Sequence, residues 1–147
     1  MTVRLRLLGH CITILSLMLL FLTACGAEDV GGDNSQDQPV IRGKASVESI
    51  EVFILESFPV QVRVRVKGNL PDGCTKIDQI NKGSNLEDYT LWVEITTIRP
   101  KDRACTEALV PFEETVSLDV YGLPAGTYTV DVNGVTDTFT LSVDNVL

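Results

Sequence analysis

Histidine is almost missing from this 147-residue chain: the single one is His10. The other chemistry-bearing residues are sparse too, with four cysteines, one tryptophan and two methionines. Basic residues are outnumbered, 12 against 20 acids, for a formal charge of −8. Outside the first two dozen residues there is no long apolar run and no convincing helical periodicity. Each shortage excludes something. A shortage of cations argues against nucleic-acid binding, whose affinity comes largely from lysine and arginine meeting phosphates. It also argues against lying flat on an anionic membrane surface. With His10 confined to the apolar N-terminal stretch, the body of the chain has no imidazole. Ser-His-Asp and Cys-His catalysis are therefore excluded. A phosphate-cradling loop is missing as well, because Val30-Gly31-Gly32-Asp33 has no strand before it and no helix after it.

The one long apolar run is at the start. Arg4 and Arg6 precede it, no acid occurs before Glu28, and Leu7 to Leu22 is nearly all apolar. At about 16 residues it falls short of the ~20 that span a bilayer as a helix. A basic start, a short apolar core and a small-residue site form a secretory signal. The sequence Leu22-Thr23-Ala24-Cys25, followed by Gly26, resembles the lipobox of bacterial lipoprotein signal peptides. That resemblance implies cleavage after residue 24 and a diacylglycerol thioether on Cys25, the new N-terminus. It implies a protein held on the extracytoplasmic face of a bacterial membrane, inner or outer, with the membrane as its partner through Cys25. Multiple acyl chains hold a protein firmly where one alone is marginal. Loss of Arg4 and Arg6 lowers the formal charge from −8 to −10.

Residues 25–44 follow as lipidated cysteine and tether. Their Gly, Asp, Asn, Ser, Gln and Pro cannot bury enough surface to offset chain entropy. Asp33, Asn34 and Asp37 do not have the spacing of a calcium loop. From residue 45 to 147 the pattern changes to period two. Val60, Val62, Val64 and Val66 alternate with Gln61, Arg63, Arg65 and Lys67, the mark of a strand with one buried and one wet face. Further strands are expected at 46–55, 74–80, 89–98 and 114–122. In the 89–98 strand Leu91, Val93 and Ile95 share one face, and Trp92, Glu94 and Thr96 the other. The strongest local signal is Asn133-Gly134 between two alternating runs, the favoured pair of a two-residue hairpin. That register sets Val132 opposite Val135 and Tyr128 opposite Phe139.

Seven short strands in about 100 residues predict an all-β chain with one core, a single antiparallel β-sandwich. The segment Leu123-Pro124-Ala125-Gly126-Thr127-Tyr128, leading into the penultimate strand, resembles the closing strands of immunoglobulin-like sandwich modules in bacterial secreted proteins. The resemblance implies fold rather than activity. Tyr128 is then a corner tyrosine or an ordinary core residue. Cys74 and Cys105 are the cysteines left in the body of the chain. Outside the cytoplasm they are expected to pair, closing a loop of about 32 residues and stabilising the fold by roughly 3–4 kcal/mol. Two cysteines without histidine make a poor zinc set, so no metal and no cofactor are expected.

The most distinctive loop spans residues 99–114, where Arg99, Lys101 and Arg103 form a cationic cluster on an acidic protein. Pinned by Cys105 to Cys74, it is the candidate binding loop. Solvated charge, partly matched by Asp102, is the commoner explanation of such a loop. The carboxylate pairs Glu113-Glu114 and Glu87-Asp88 do not converge, because adjacent strand residues face opposite ways. The sequence therefore predicts a non-catalytic, membrane-tethered binding or accessory lipoprotein of the cell envelope, its partner an envelope protein or polymer. Two alternatives are a protease-inhibitor-like sandwich module presenting loops and a purely structural envelope lipoprotein.

Overall fold

The computed structural model describes residues 39–147. The signal segment and Cys25 lie outside them, as does the tether up to residue 38. The described chain is built of strands: β1 (Val40–Lys44), β2 (Ser46–Leu55), β3 (Gln61–Leu70), β4 (Lys76–Asn85), β5 (Thr90–Pro100), β6 (Val110–Leu118), β7 (Gly126–Val132) and β8 (Val135–Leu141). Three of them, β2-β3-β6, form one antiparallel sheet. The other five form a second sheet around β5, which pairs with β4 along one edge and with both β1 and β7 along the other. Strand β8 closes that sheet against β7.

Alternation builds the core. Val62, Val64 and Val66 of β3, with Val116 and Leu118 of β6, meet Leu91, Val93 and Ile95 of β5 and Tyr128, Val130, Val132, Phe139 and Leu141 of β7 and β8. Each of these side chains is buried, and each contributes on the order of 1.5–3 kcal/mol through area removed from water. Two of the three cations on the wet face of β3 are paired with its neighbours. Arg65 pairs with Glu51 and Glu113, Lys67 pairs with Glu113, and the Arg65 guanidinium sits 4.6 Å over the Phe53 ring.

The sandwich has eight strands where the pattern predicts seven, and it is not purely antiparallel. The additional strand is β1, made of residues assigned by composition to the end of the tether. Val40–Lys44 finds a strand because β5 has unpaired backbone beyond Thr96, and the register runs from Val40 opposite Pro100 to Lys44 opposite Thr96. At Ala45, buried and donating its N–H to the Ile95 carbonyl, the chain leaves that sheet and enters β2 in the other. The parallel pair is β5–β7, over Thr90–Val93 and Thr129–Val132. Side-chain alternation carries no information on strand direction, so this pairing has no signature in the sequence.

Two asparagines secure places where ladders are interrupted. Asn133, at φ 50° in the tight β7–β8 turn beside Gly134 at φ 94°, fills the gap between the end of β1 and the end of β7. Its Oδ1 accepts from the Ile95 N–H at 3.1 Å, and its Nδ2 donates to the Ala45 and Ile95 carbonyls, each at 2.9 Å. Asn145, fully buried, ties the segment after β8 to the opposite sheet. Its Oδ1 accepts from the Val60 N–H at 2.6 Å, and its Nδ2 donates to the Val60 and Val120 carbonyls at 2.9 Å.

Tyr128 is both core and corner. Its ring stacks on Phe139 at 5.4 Å, in the register the hairpin predicts. Its hydroxyl donates to the Pro124 carbonyl at 2.8 Å, the bond back across the preceding corner that defines a tyrosine corner. Tyr128→Phe keeps the stacking and strands that carbonyl. The expected loss is about 1–2 kcal/mol, read from the urea midpoint at unchanged denaturant slope. An unchanged midpoint would mean that the corner bond adds nothing.

Candidate functional site

The connections β3–β4 and β5–β6 both cross between the sheets at one end of the sandwich, and both are short of apolar residues. Two clasps hold them together. Cys74 and Cys105 are joined by a disulfide, their Cα atoms 5.6 Å apart. Beside it Asp72 turns back on its own loop: Oδ1 accepts from the Cys74 N–H (2.9 Å), the Thr75 N–H (2.8 Å) and the Thr75 hydroxyl (2.9 Å). Its Oδ2 accepts from Arg99 Nε at 2.5 Å.

Burial raises the Asp72 pKa, but the bonds from Arg99, Thr75 and the Cys74 and Thr75 amides outweigh it, and the carboxyl is lowered to about 2. A depressed carboxylate stabilises the fold only while ionised. Its contribution is complete above the ordinary value of 3.8 and is lost as the pH falls through about 2. Stability measured between pH 5 and pH 2 should therefore fall on acidification, and Asp72→Asn should flatten that part of the acid limb. An acid limb of the same slope in the variant would assign it to other carboxylates.

This geometry revises the cationic loop. Arg99 lies at the end of β5 as the partner of Asp72 and is not free to meet a ligand. The connection itself is only residues 101–109, because β6 begins at Val110. Lys101 and Arg103 are exposed. Arg103 lines a depression of about 350 Å³ with Val40, Gly73, Cys74, Lys76, Ile98 and Pro100. Lys76, absent from the sequence-based set, thus joins Arg103, because the disulfide brings the start of β4 under the loop. Asp72, Cys74 and Cys105 also place one oxygen and two sulfurs within 4.8 Å of one another. In the oxidised protein the sulfurs are bonded to each other and the carboxylate is engaged by Arg99 and Thr75, so the group offers no open ligand set.

A second surface has no counterpart in the sequence-based candidates. On the outer face of the five-stranded sheet, Trp92 is 41% exposed and lies over Gly83 of β4, its neighbour in register. A Cβ at position 83 would stand 2.5 Å from the indole Cζ2, so the ring rests on bare backbone. Around it the alternation places Thr90, Glu94 and Thr96 of β5, Thr127, Thr129 and Asp131 of β7, and Thr136, Thr138 and Thr140 of β8. Lys44 pairs with Glu94 at 2.7 Å. That bond raises the Lys44 pKa and lowers that of Glu94. The available signal was the run of threonines at alternate positions flanking Asn133-Gly134.

An all-β sandwich with clasped crossovers and one polar, tryptophan-bearing sheet face defines the class of protein. The chain belongs to the ORF11 beta-sandwich domain family, whose model matches residues 64–141. The match runs from the middle of β3 to the end of β8, so it contains the clasp and the Trp92 face. Relatives come from Herpetosiphon aurantiacus. One, described as an uncharacterized 10.2 kDa protein in the HgiCIIM 5' region, is 36% identical over 95 residues, covering 65% of this chain and 98% of that protein. Two more, in the HgiBIM and HgiEIM 5' regions, are each 41% identical over 85 residues, covering 58% of this chain and the whole of each relative. No solved structure matches.

Proposed function

We propose that this chain is a non-catalytic binding lipoprotein of a bacterial envelope, anchored through Cys25 and presenting an immunoglobulin-like sandwich on a short tether. The observation that carries the reading is the Cys74–Cys105 bridge, a bond that reducing cytosol does not maintain. It agrees with the lipobox pattern Leu22-Thr23-Ala24-Cys25-Gly26 and the basic, apolar stretch before it. The immunoglobulin-like part is supported by the Tyr128 corner bond and by a first strand that passes from one sheet to the other. It departs from antibody domains in that its disulfide joins two crossovers instead of the two sheet faces. The non-catalytic part rests on the lack of any histidine after His10. Envelope proteins and polymers remain the class of partner.

The intact mass of the protein extracted from membranes, before and after reduction, tests this. The expected species starts at diacylated Cys25 and gains one hydrogen per sulfur at Cys74 and Cys105. A chain retaining residues 1–24 with free thiols overturns the reading.

A further inference from the structure

We propose that the outer face of the five-stranded sheet, centred on Trp92, binds a neutral polysaccharide. The inference deepens the binding-lipoprotein reading and rests on it for the envelope setting. Three observations define the ligand chemistry. The first is a platform. Trp92 lies against Gly83, and a broad apolar ring half open to solvent is the surface that the C–H face of a sugar ring covers. The second is a grid of hydroxyls on the β7–β8 ribbon beside it. Thr129 is opposite Thr138, and Thr127 opposite Thr140. Neighbouring strands are about 4.8 Å apart and alternate residues about 6.7 Å apart, so the hydroxyls form a regular array on a level surface. Thr127 and Thr140 bond to each other at 3.0 Å. The Thr138 N–H donates to Asp137 Oδ1 at 2.8 Å, but among the described residues no hydrogen bond engages the hydroxyls of Thr129, Thr136 or Thr138, which leaves them for a ligand.

The third is charge. Lys44 is paired with Glu94, and Asp131 accepts the Gly134 N–H at 2.9 Å. Among the described residues the cation lining the depression beside the ring is Lys44, already paired, while Lys76 on the same face stands opposite Ile98, six positions along β5 from Trp92. A depression of about 350 Å³ lined by Lys44, Trp92, Glu94, Asp131, Asn133 and Gly134 borders the ring, giving one end of a chain a place to seat. A hydroxyl-rich sheet face with one aromatic platform and its bordering cation paired fits an extended, uncharged glycan better than a protein, whose anchors need deep apolar pockets.

Trp92 is the only tryptophan in the chain, so its emission reports this face alone. The full lipidated protein, in a detergent without a sugar head group, is titrated with hexasaccharides of β-1,4-linked N-acetylglucosamine, β-1,4-linked glucose and α-1,4-linked glucose. A saturable emission change with at least one of them is expected. Isothermal calorimetry with that sugar should then show binding weakened by about tenfold or more in Trp92→Ala. Trp92→Phe keeps a smaller platform and should fall between the two. Gly83→Ala should weaken binding by displacing the ring, while Arg63→Ser, exposed on β3 of the other sheet, should leave it intact. No saturable change with any of the three sugars overturns the proposal, as does binding that survives Trp92→Ala in a folded variant or is lost equally in Arg63→Ser. Lipidation is read separately by mass, so a chain that binds sugar without an anchor refutes the anchor and not the face.

Discussion

Replacing Asn145 with alanine is expected to lower the unfolding free energy by about 3–5 kcal/mol, the high end for a polar-to-alanine change. The side chain is fully buried and makes three bonds to backbone groups of the opposite sheet's segments. Alanine removes all three, leaving the Val60 N–H and the Val60 and Val120 carbonyls without that partner in a space too enclosed for free hydration. Each such group costs on the order of 1–3 kcal/mol, discounted where a water can enter. Asn145→Asp is the sharper variant. A carboxylate keeps the acceptor for Val60 N–H but turns its second oxygen towards two carbonyls, so it should do no better than alanine at neutral pH. Urea titration of the full chain reads both. A loss under about 1 kcal/mol would mean that water replaces the amide.

Removing the bridge is the second large change. Cys74→Ser with Cys105→Ser should cost about 3–4 kcal/mol, from the freedom returned to the unfolded chain by opening a loop of this length. In this fold the loss does not stand alone. The same two crossovers are held by Asp72 and Arg99, so the clasps share one task, and sites that share partners do not add. With the disulfide intact, Arg99→Ser should be mild; in the Cys-to-Ser background it should cost more, because the crossovers then depend on the ion pair. Strict additivity in that cycle would show that the clasps act independently.

What the sequence makes legible follows its periodicity. Val62, Val64 and Val66, the β5 face of Leu91, Val93 and Ile95, and the hairpin at Asn133-Gly134 are all set by local alternation and turn chemistry, and the structure places them as read. The Cys74–Cys105 pairing follows from the count and the expected compartment, and the structure contains it. Four features are not local. Val40–Lys44 is a strand only because β5 has spare backbone. The second half of β4, Asn81 to Asn85, is polar and contains Gly83, and it is a strand because it lies at a sheet edge with Trp92 over it. Strand β6 begins at Val110, ahead of Pro111, which an edge strand tolerates where a central one does not. The partner of Arg99 is Asp72, 27 residues earlier, and nothing near either residue announces the other. The sequence therefore shows the cationic loop without the partner of Arg99, and the Trp92 face, spread over three strands, is visible in it only one strand at a time.

The way β1 meets β5 has a mechanical consequence. The chain enters the sandwich at Val40, at the disulfide-clasped end, and β1 runs inward along β5 through five residue pairs. Antiparallel ladder bonds lie perpendicular to the strands. A pull on the N-terminal side of Val40, directed along the strand, therefore loads the ladder's bonds together in shear, where a pull across the sheet would open them one at a time. Were the domain tethered and its exposed face bound to a polymer, as proposed, that would be the stronger of the two attachments. In a force-extension measurement, stretching from the N-terminus should meet its first resistance at β1, and a Gly43→Pro variant, with a disrupted β1 ladder, should yield at lower force.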